Sequence, residues 1–216
     1  MGKDALALKV LILSNNRITS LEGLSGMPAL KELYLAGNQI TSMKGLCDLP
    51  MLEKLHLRGN KFIGLDDIPV LDTVTYLNLR DNLIETTPEV VEGQDPRPSG
   101  MENLLKLGAY DDETRQYCLA SLNKLNMQGN PFADDAGDGF KKEVLLTLEM
   151  LNVNVVNKDA VTEEDRTEAK EEKASRIKAA EEAAEEARLA AEEAAANKEE
   201  GEGAEGEEAA AEDEDD

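Results

Sequence analysis

The chain has 216 residues and a formal net charge of −23, unevenly spread: residues 1–158 hold 16 Lys and Arg against 22 Asp and Glu, and residues 159–216 hold 7 against 24. That length accommodates one folded domain plus an appendage, and the acidity argues against bare nucleic acid or an anionic membrane as a partner. With one histidine (His56), two cysteines far apart (Cys47 and Cys118) and no Asn-x-Ser/Thr sequon, neither a His-based triad nor a His cluster for metal can be assembled, and a reducing, intracellular compartment is expected. No apolar run approaches transmembrane length, and Lys9 interrupts the early apolar stretch.

From Leu8 the sequence repeats one frame. Leu-x-x-Leu-x-Leu-x-x-Asn runs from Leu8 to Asn16, Leu30 to Asn38 and Leu52 to Asn60, and again from Val74 to Asn82 with Val in the first place; successive asparagines are 22 residues apart. Four hits in one register mark a leucine-rich repeat. Each repeat predicts a short strand, a turn and a return segment. In the second, Leu30, Leu33, Leu35 and Ile40 point inward, and Met43, Leu46 and Leu49 follow on the return side. One repeat cannot bury that set alone, but a stack makes a continuous core. Twenty-two residues are too few for a full helix on the return side, so short 3-10 turns or one helical turn are expected there. Asn16, Asn38, Asn60, Asn82 and Asn130 are expected to form a structural asparagine ladder, each amide bonding backbone groups freed as the chain leaves the strand.

Only Met1 to Ala7 precede the first frame. A solenoid needs its open end covered, so either a partner covers this edge or further repeats precede it. After Asn82 the pattern breaks, and the next frame, Leu122 to Asn130, comes 48 residues on. The insertion 86–118 contains Pro88, Gly93, Pro96, Pro98 and Gly100. Two readings stand equally: a degenerate repeat with Leu104, Leu107 and Ala109 as strand positions and Asp112 in place of the Asn, or a loop followed by a short helix through Tyr117.

Pro131 and Phe132 open a C-terminal cap over 131–161. Phe140, Val144, Leu145 and Leu148 fall at helical spacing, and Leu148, Leu151 and Val153 imitate one last strand frame. Asp134-Asp-Ala-Gly-Asp-Gly139 has Ala136 and Leu145 where a calcium loop needs ligands, so no metal is expected there. Thr162 and Asp165 approximate a capping box opening an Ala/Glu-rich helix over 162–198. Ile177, Ala180, Ala184, Ala187, Ala191 and Ala194 form a seam at heptad spacing, read either as a solvated single helix or as one docked on another helix. Residues 199–216, all Glu, Gly, Ala or Asp, are expected to be a disordered acidic tail.

Strand positions alternate, so residues flanking the inward leucines face the inner curve of the solenoid. Among them Tyr34, Lys54, His56, Arg58, Tyr76, Arg80 and Lys124 make a basic and aromatic strip on an acidic protein. Arg and Tyr are enriched at binding hot spots, and the expected ligand is an acidic peptide or helix, with the chain's own acidic tail a competitor. No catalytic residue, cofactor, metal or small-molecule ligand is expected.

Gly129-Asn130-Pro131, Phe140, Leu148 to Leu151, and Val161-Thr-Glu-Glu-Asp-Arg166, together with the repeats, resemble the 22-residue, Sds22-like class of leucine-rich repeat proteins over about residues 8–166. The usual Pro before the closing Leu is absent. Within that class, Leu55-His-Leu-Arg-Gly-Asn60, Tyr76-Leu-Asn-Leu-Arg-Asp-Asn82 and the charged helix after the cap look like leucine-rich repeat proteins of ciliary radial spokes. The resemblance implies an α/β solenoid, a horseshoe with repeats over 1–130, followed by the cap, a long charged helix and the tail. It also implies a non-enzymatic scaffold of the cilium or flagellum axoneme, cytoskeletal, with spoke or dynein subunits as partners. Two other readings remain: a phosphatase regulatory subunit of Sds22 type, and an acidic nuclear histone-binding protein.

Overall fold

The computed structural model describes residues 7–85, 100–111 and 116–205, with side chains through residue 191. Each Leu-x-x-Leu-x-Leu frame folds as a three-residue strand: β1 (Val10–Ile12), β2 (Glu32–Tyr34), β3 (Lys54–His56), β4 (Tyr76–Asn78) and β7 (Lys124–Asn126). They pair in parallel in one register, with Leu11, Leu33, Leu55, Leu77 and Leu125 as direct neighbours. Leu33, Leu55, Leu77 and Leu125 are buried, whereas Leu11, at the end of the stack, is half-buried. The next layer inward is equally regular: Ile40, Phe62, Ile84 and Phe132 each follow their repeat's Asn by two residues, and all are buried. One core therefore runs along the stack, each repeat burying its neighbour's apolar side.

The strands are short because each chain turns sharply just beyond its last leucine. The residue before the frame's Asn takes a left-handed conformation in every repeat: Asn15, Gly37, Gly59, Asp81 and Gly129 have φ of 57°, 68°, 66°, 54° and 74°. Two of these glycines answer to their neighbours as well as to φ. A Cβ on Gly37 would lie 2.5 Å from Asn15 Oδ1, and one on Gly129 would lie 2.3 Å from Asp81 Oδ1. Where one repeat spends a polar side chain at this bend, the next must leave room for it.

On the return side the chain makes single i→i+3 turns, with Leu24 N–H donating to Leu21 O and Leu46 N–H to Met43 O. The insertion departs from both sequence readings. No parallel strand enters between β4 and β7, which pair directly. Leu104 and Leu107 lie buried in helix α1 (Gly100–Leu107), which ends well before Tyr117. After it comes a two-stranded antiparallel pair, β5 (Tyr110–Asp111) and β6 (Gln116–Tyr117). The i, i+3 spacing of Leu104 and Leu107 fits a helix as readily as a repeat frame, and packing selects the helix. Asn103, fully buried on α1, accepts Leu65 N–H at 2.6 Å, and Lys106 pairs with Asp66, fastening α1 to the return segment of the third repeat. Residues 86–99, Ala109's proposed successor Asp112 and the rest of 112–115 lie outside the described residues.

The cap comprises α2 (Pro131–Ala136), a 3-10 turn at Gly137–Gly139 and α3 (Phe140–Thr147). Phe132 and Phe140 meet edge to face at 5.7 Å. The closing strand lies later than the leucine pattern suggests. It is β8 (Val155–Val156), parallel to β7, followed antiparallel by β9 (Asp159–Ala160). Leu148 and Leu151 are instead buried at the end of α3, where Leu151 N–H donates to Leu148 O. Asn157 and Lys158 form the two-residue turn with φ of 49° and 80°, as a type I′ hairpin turn requires. Asn157 Oδ1 also accepts Met127 N–H at 2.8 Å.

Thr162 and Asp165 cap α4 (Glu163–Glu205) reciprocally: Asp165 N–H donates to Thr162 Oγ1, and Thr162 N–H donates to Asp165 Oδ2. Lys141 sits 2.7 Å from the same carboxylate and, with the Thr162 bonds, holds its pKa at about 2. Arg166 donates to Val153 O and Asn154 Oδ1, tying the helix start to the approach to β8.

The chain divides into two units, Met1–Ala169 and Lys170–Asp216. The described part of the second is the remainder of α4, where Arg176–Glu172 and Lys178–Glu182 pair at i, i+4. Ile177 and Leu189 are half-exposed on it, at 50% and 49%. α4 continues through Glu205, past Asn197 and into the stretch expected to be disordered. Helix propagation into good helix formers such as Ala and Glu accounts for the overrun. Residues 206–216 lie outside the described residues.

Candidate protein-binding face

Burial of the central leucine of each strand turns the two flanking side chains onto the opposite, open face of the sheet. Register stacks them in rows. Val10, Glu32, Lys54, Tyr76 and Lys124 form one row, and Ile12, Tyr34, His56, Asn78 and Asn126 a second. A third row continues beyond the strands as Ser14, Ala36, Arg58, Arg80 and Gln128, held by bonds such as Gly37 N–H to Arg58 O and Gly59 N–H to Arg80 O. All seven residues of the expected strip thus share this face.

Its chemistry differs from a bare basic strip. Glu32 accepts from Lys54 Nζ at 2.8 Å and from the Tyr34 hydroxyl at 2.7 Å. Lys54 and then Tyr34 hold the Glu32 carboxyl below its ordinary pKa. Asp81 accepts from Arg58 Nε at 2.8 Å and from Arg80 Nε at 3.3 Å. Two carboxylates therefore pair with three of the four cations, Arg58 and Arg80 sharing one of them. Neither is conspicuous in the sequence: Glu32 is one of many acidic residues, and Asp81 occupies the bend position that glycine fills in the neighbouring repeats. Lys124 is exposed and has no ion pair among the described residues.

The middle of the face is aromatic. Tyr34 stacks on His56 with centroids 4.3 Å apart and planes 15° apart, and Tyr76 meets His56 edge-on at 5.0 Å. These rings with Lys54 and Lys124 line an open hollow of about 670 Å³, rimmed by Ser121 and Asn123. His56 Nε2 is buried with no hydrogen-bond partner among the described residues. Burial lowers the His56 pKa, with Glu32 opposing and Lys54 reinforcing that shift.

A pH effect follows. Above the ordinary imidazole value of 6.5, His56 is neutral whether folded or unfolded, and it contributes no pH dependence. As pH falls through that value the unfolded chain takes up the proton first, so stability declines until the folded imidazole protonates as well. Urea midpoints at about pH 7.5 and about pH 5.5 should drop more for the native chain than for His56→Asn. Equal drops would show that His56 is not desolvated by its tyrosine neighbours.

The asparagines sit on the opposite side of each strand. Asn38, Asn60, Asn82 and Asn130 are buried, whereas Asn16 is exposed. Asn60 Nδ2 donates to Leu57 O at 2.9 Å and to Leu35 O at 3.0 Å, and its Oδ1 accepts Ile40 N–H at 3.1 Å. Asn38 and Asn82 repeat the arrangement one repeat away on either side. Asn130 reaches across the insertion to Leu79 O and Ile84 N–H. Among the described residues Asn16 bonds only Leu13 O and Ser14 O, both of its own repeat.

A protein-family model described as Leucine Rich repeats (2 copies) matches residues 7–48. The chain carries leucine-rich repeats. A chain of the Drosophila melanogaster SNF/U2A′ complex superposes with a TM-score of 0.57 at 15% identity, covering 82% of this chain and 97% of that one. This likeness concerns the fold: a leucine-rich repeat solenoid with a parallel sheet and a helical C-terminal region. A leucine-rich repeat protein of Leptospira interrogans aligns at 25% identity with a TM-score of 0.41, covering 68% of this chain and 31% of that one. None of the curated proteins compared matches the chain. Leucine-rich repeat proteins generally act in protein–protein interaction. Among the described residues there is no cluster of three His, Cys, Asp or Glu side chains able to hold a metal, and no helix long and apolar enough to cross a membrane.

Proposed function

We propose that the chain is a non-enzymatic scaffold that binds a protein partner on the open face of its repeat sheet, within the ciliary or flagellar axoneme. The observation that carries the binding reading is the aromatic hollow. Tyr34, His56 and Tyr76 are rigid side chains on hydrogen-bonded strands, with cations at their edge and a buried imidazole nitrogen unpaired among the described residues. Rigid aromatic anchors beside cations are what a protein-binding hot spot needs, because little side-chain entropy is lost on contact. The axonemal reading, with spoke or dynein subunits as partners, rests on the resemblance of Leu55 to Asn60, Tyr76 to Asn82 and the charged helix to leucine-rich repeat-containing protein 23.

Fractionation of ciliated cells tests both parts. Retention in the detergent-insoluble axoneme, with crosslinks from Lys54 or Lys124 to spoke or dynein subunits, is the expected result. Complete release into the soluble or nuclear fraction would overturn the axonemal placement. Retention with every crosslink arising from other lysines would overturn the binding face.

A further inference from the structure

The open face is not uniform from one end to the other. On β1 it presents Val10 and Ile12, exposed at 43% and 68%, with Ser14 beyond them and no charged side chain on the strand itself. β2 adds Tyr34 over a Glu32 already engaged by Lys54. Just beyond β3 and β4, Arg58 and Arg80 share the single carboxylate of Asp81. On β7 Lys124 has no ion pair among the described residues. Once internal pairs are set aside, the face is aliphatic at one end, aromatic in the middle and positively charged at the other.

We infer that this face takes an amphipathic α-helix of a partner protein, lying across the strands with an aliphatic end over Val10 and Ile12 and an acidic end over Arg80 and Lys124. The inference rests on the binding reading above and adds to it the form and polarity of the occupant. A helix fits better than an extended segment, because a face built of side chains offers no free strand edge to pair with an extended backbone, whereas a helix satisfies its own. From β1 to β7 is four strand spacings, roughly 19 Å at about 4.8 Å each. That distance matches a helix of about 13 residues at about 1.5 Å per residue. Exposed aliphatic groups at β1 gain by burial, and Lys124 on β7, together with the half-compensated Arg80, gains by meeting carboxylates.

A display selection tests this with the full chain as bait and a randomised helix-forming library of about 14 residues as probe. The selected helices should carry aliphatic residues at one end and Asp or Glu at the other. Their affinity, measured by fluorescence anisotropy, should fall about tenfold with Ile12→Asp and about tenfold with Lys124→Glu. The loss with Lys124→Glu should be restored by exchanging the acidic end for lysines, and raised salt should weaken only the acidic-end contribution. Selected helices that lose affinity with Tyr34→Ala yet show no difference between their ends would overturn the polarity while leaving the binding face intact. Selected helices that bind Ile12→Asp, Tyr34→Ala and Lys124→Glu as tightly as the native chain would overturn both.

Discussion

Asn60→Ala should destabilise the folded chain by about 3 kcal/mol or more, one of the largest effects of any single substitution in the repeats. The Asn60 side chain has no solvent to fall back on and serves three backbone groups at once. Their losses are unequal. Leu35 O also accepts from Asn38, and Leu57 O also accepts from Asn82, so each carbonyl keeps a partner. The buried Ile40 N–H has only Asn60 Oδ1 among the bonds seen and would be stranded, at roughly 1–3 kcal/mol, with the lost carbonyl bonds and the vacated volume adding to it. Asn16→Ala is the control. It is exposed, and its bonds lie within its own repeat, so its loss should fall below about 1 kcal/mol. Urea denaturation of both variants checks the contrast; equal effects would mean that bonds between repeats add nothing to the ladder.

Leu55→Ala should cost about 2–5 kcal/mol, the range for buried leucines whose surroundings cannot collapse. Leu55 is fully buried between Leu33 and Leu77, and the parallel pairing of β2, β3 and β4 holds those neighbours in place. Leu11 occupies the same column at its end and is only half-buried, so Leu11→Ala should cost less than half as much. The same urea series, read for midpoint and slope, measures both. A Leu55→Ala effect under about 0.5 kcal/mol would contradict the inward register.

These two positions also show what could be read from residues alone. The period of the leucines and the place of the Asn are local, repeated signals, and repetition makes them unambiguous. Strand, bend and inward column follow from them at every frame. The capping pair Thr162 and Asp165 was legible for the same reason: its partners are three residues apart. Leu104 and Leu107 were not, because three-residue spacing suits both a repeat frame and a helix. That choice was made by α1 finding a place against the third repeat, through Asn103 and Leu65 some 38 residues apart. The closing strand was displaced likewise. Leu148 and Leu151 carried the leucine pattern, but they lie in the turn that follows the cap helix, and Val155 and Val156 pair with β7.

The open face divides along the same line. Alternation along each strand places Tyr34, Lys54, His56, Arg58, Tyr76, Arg80 and Lys124 on one side of the sheet, and no tertiary information is needed to see it. Whether those cations are available is another matter. Glu32 reaches Lys54 across 22 residues, and Asp81 reaches Arg58 across 23. Composition counts charges, whereas a binding face depends on which of them are already paired. Sequence by itself determined the repeat, its period, the buried column and the side of the sheet on which each residue stands, because these depend on neighbours at fixed short spacing. Tertiary structure alone decided the course of the insertion, the strand that closes the cap and the pairing that leaves Lys124 as the face's unmatched cation among the described residues, because each was settled by contacts between distant parts of the chain.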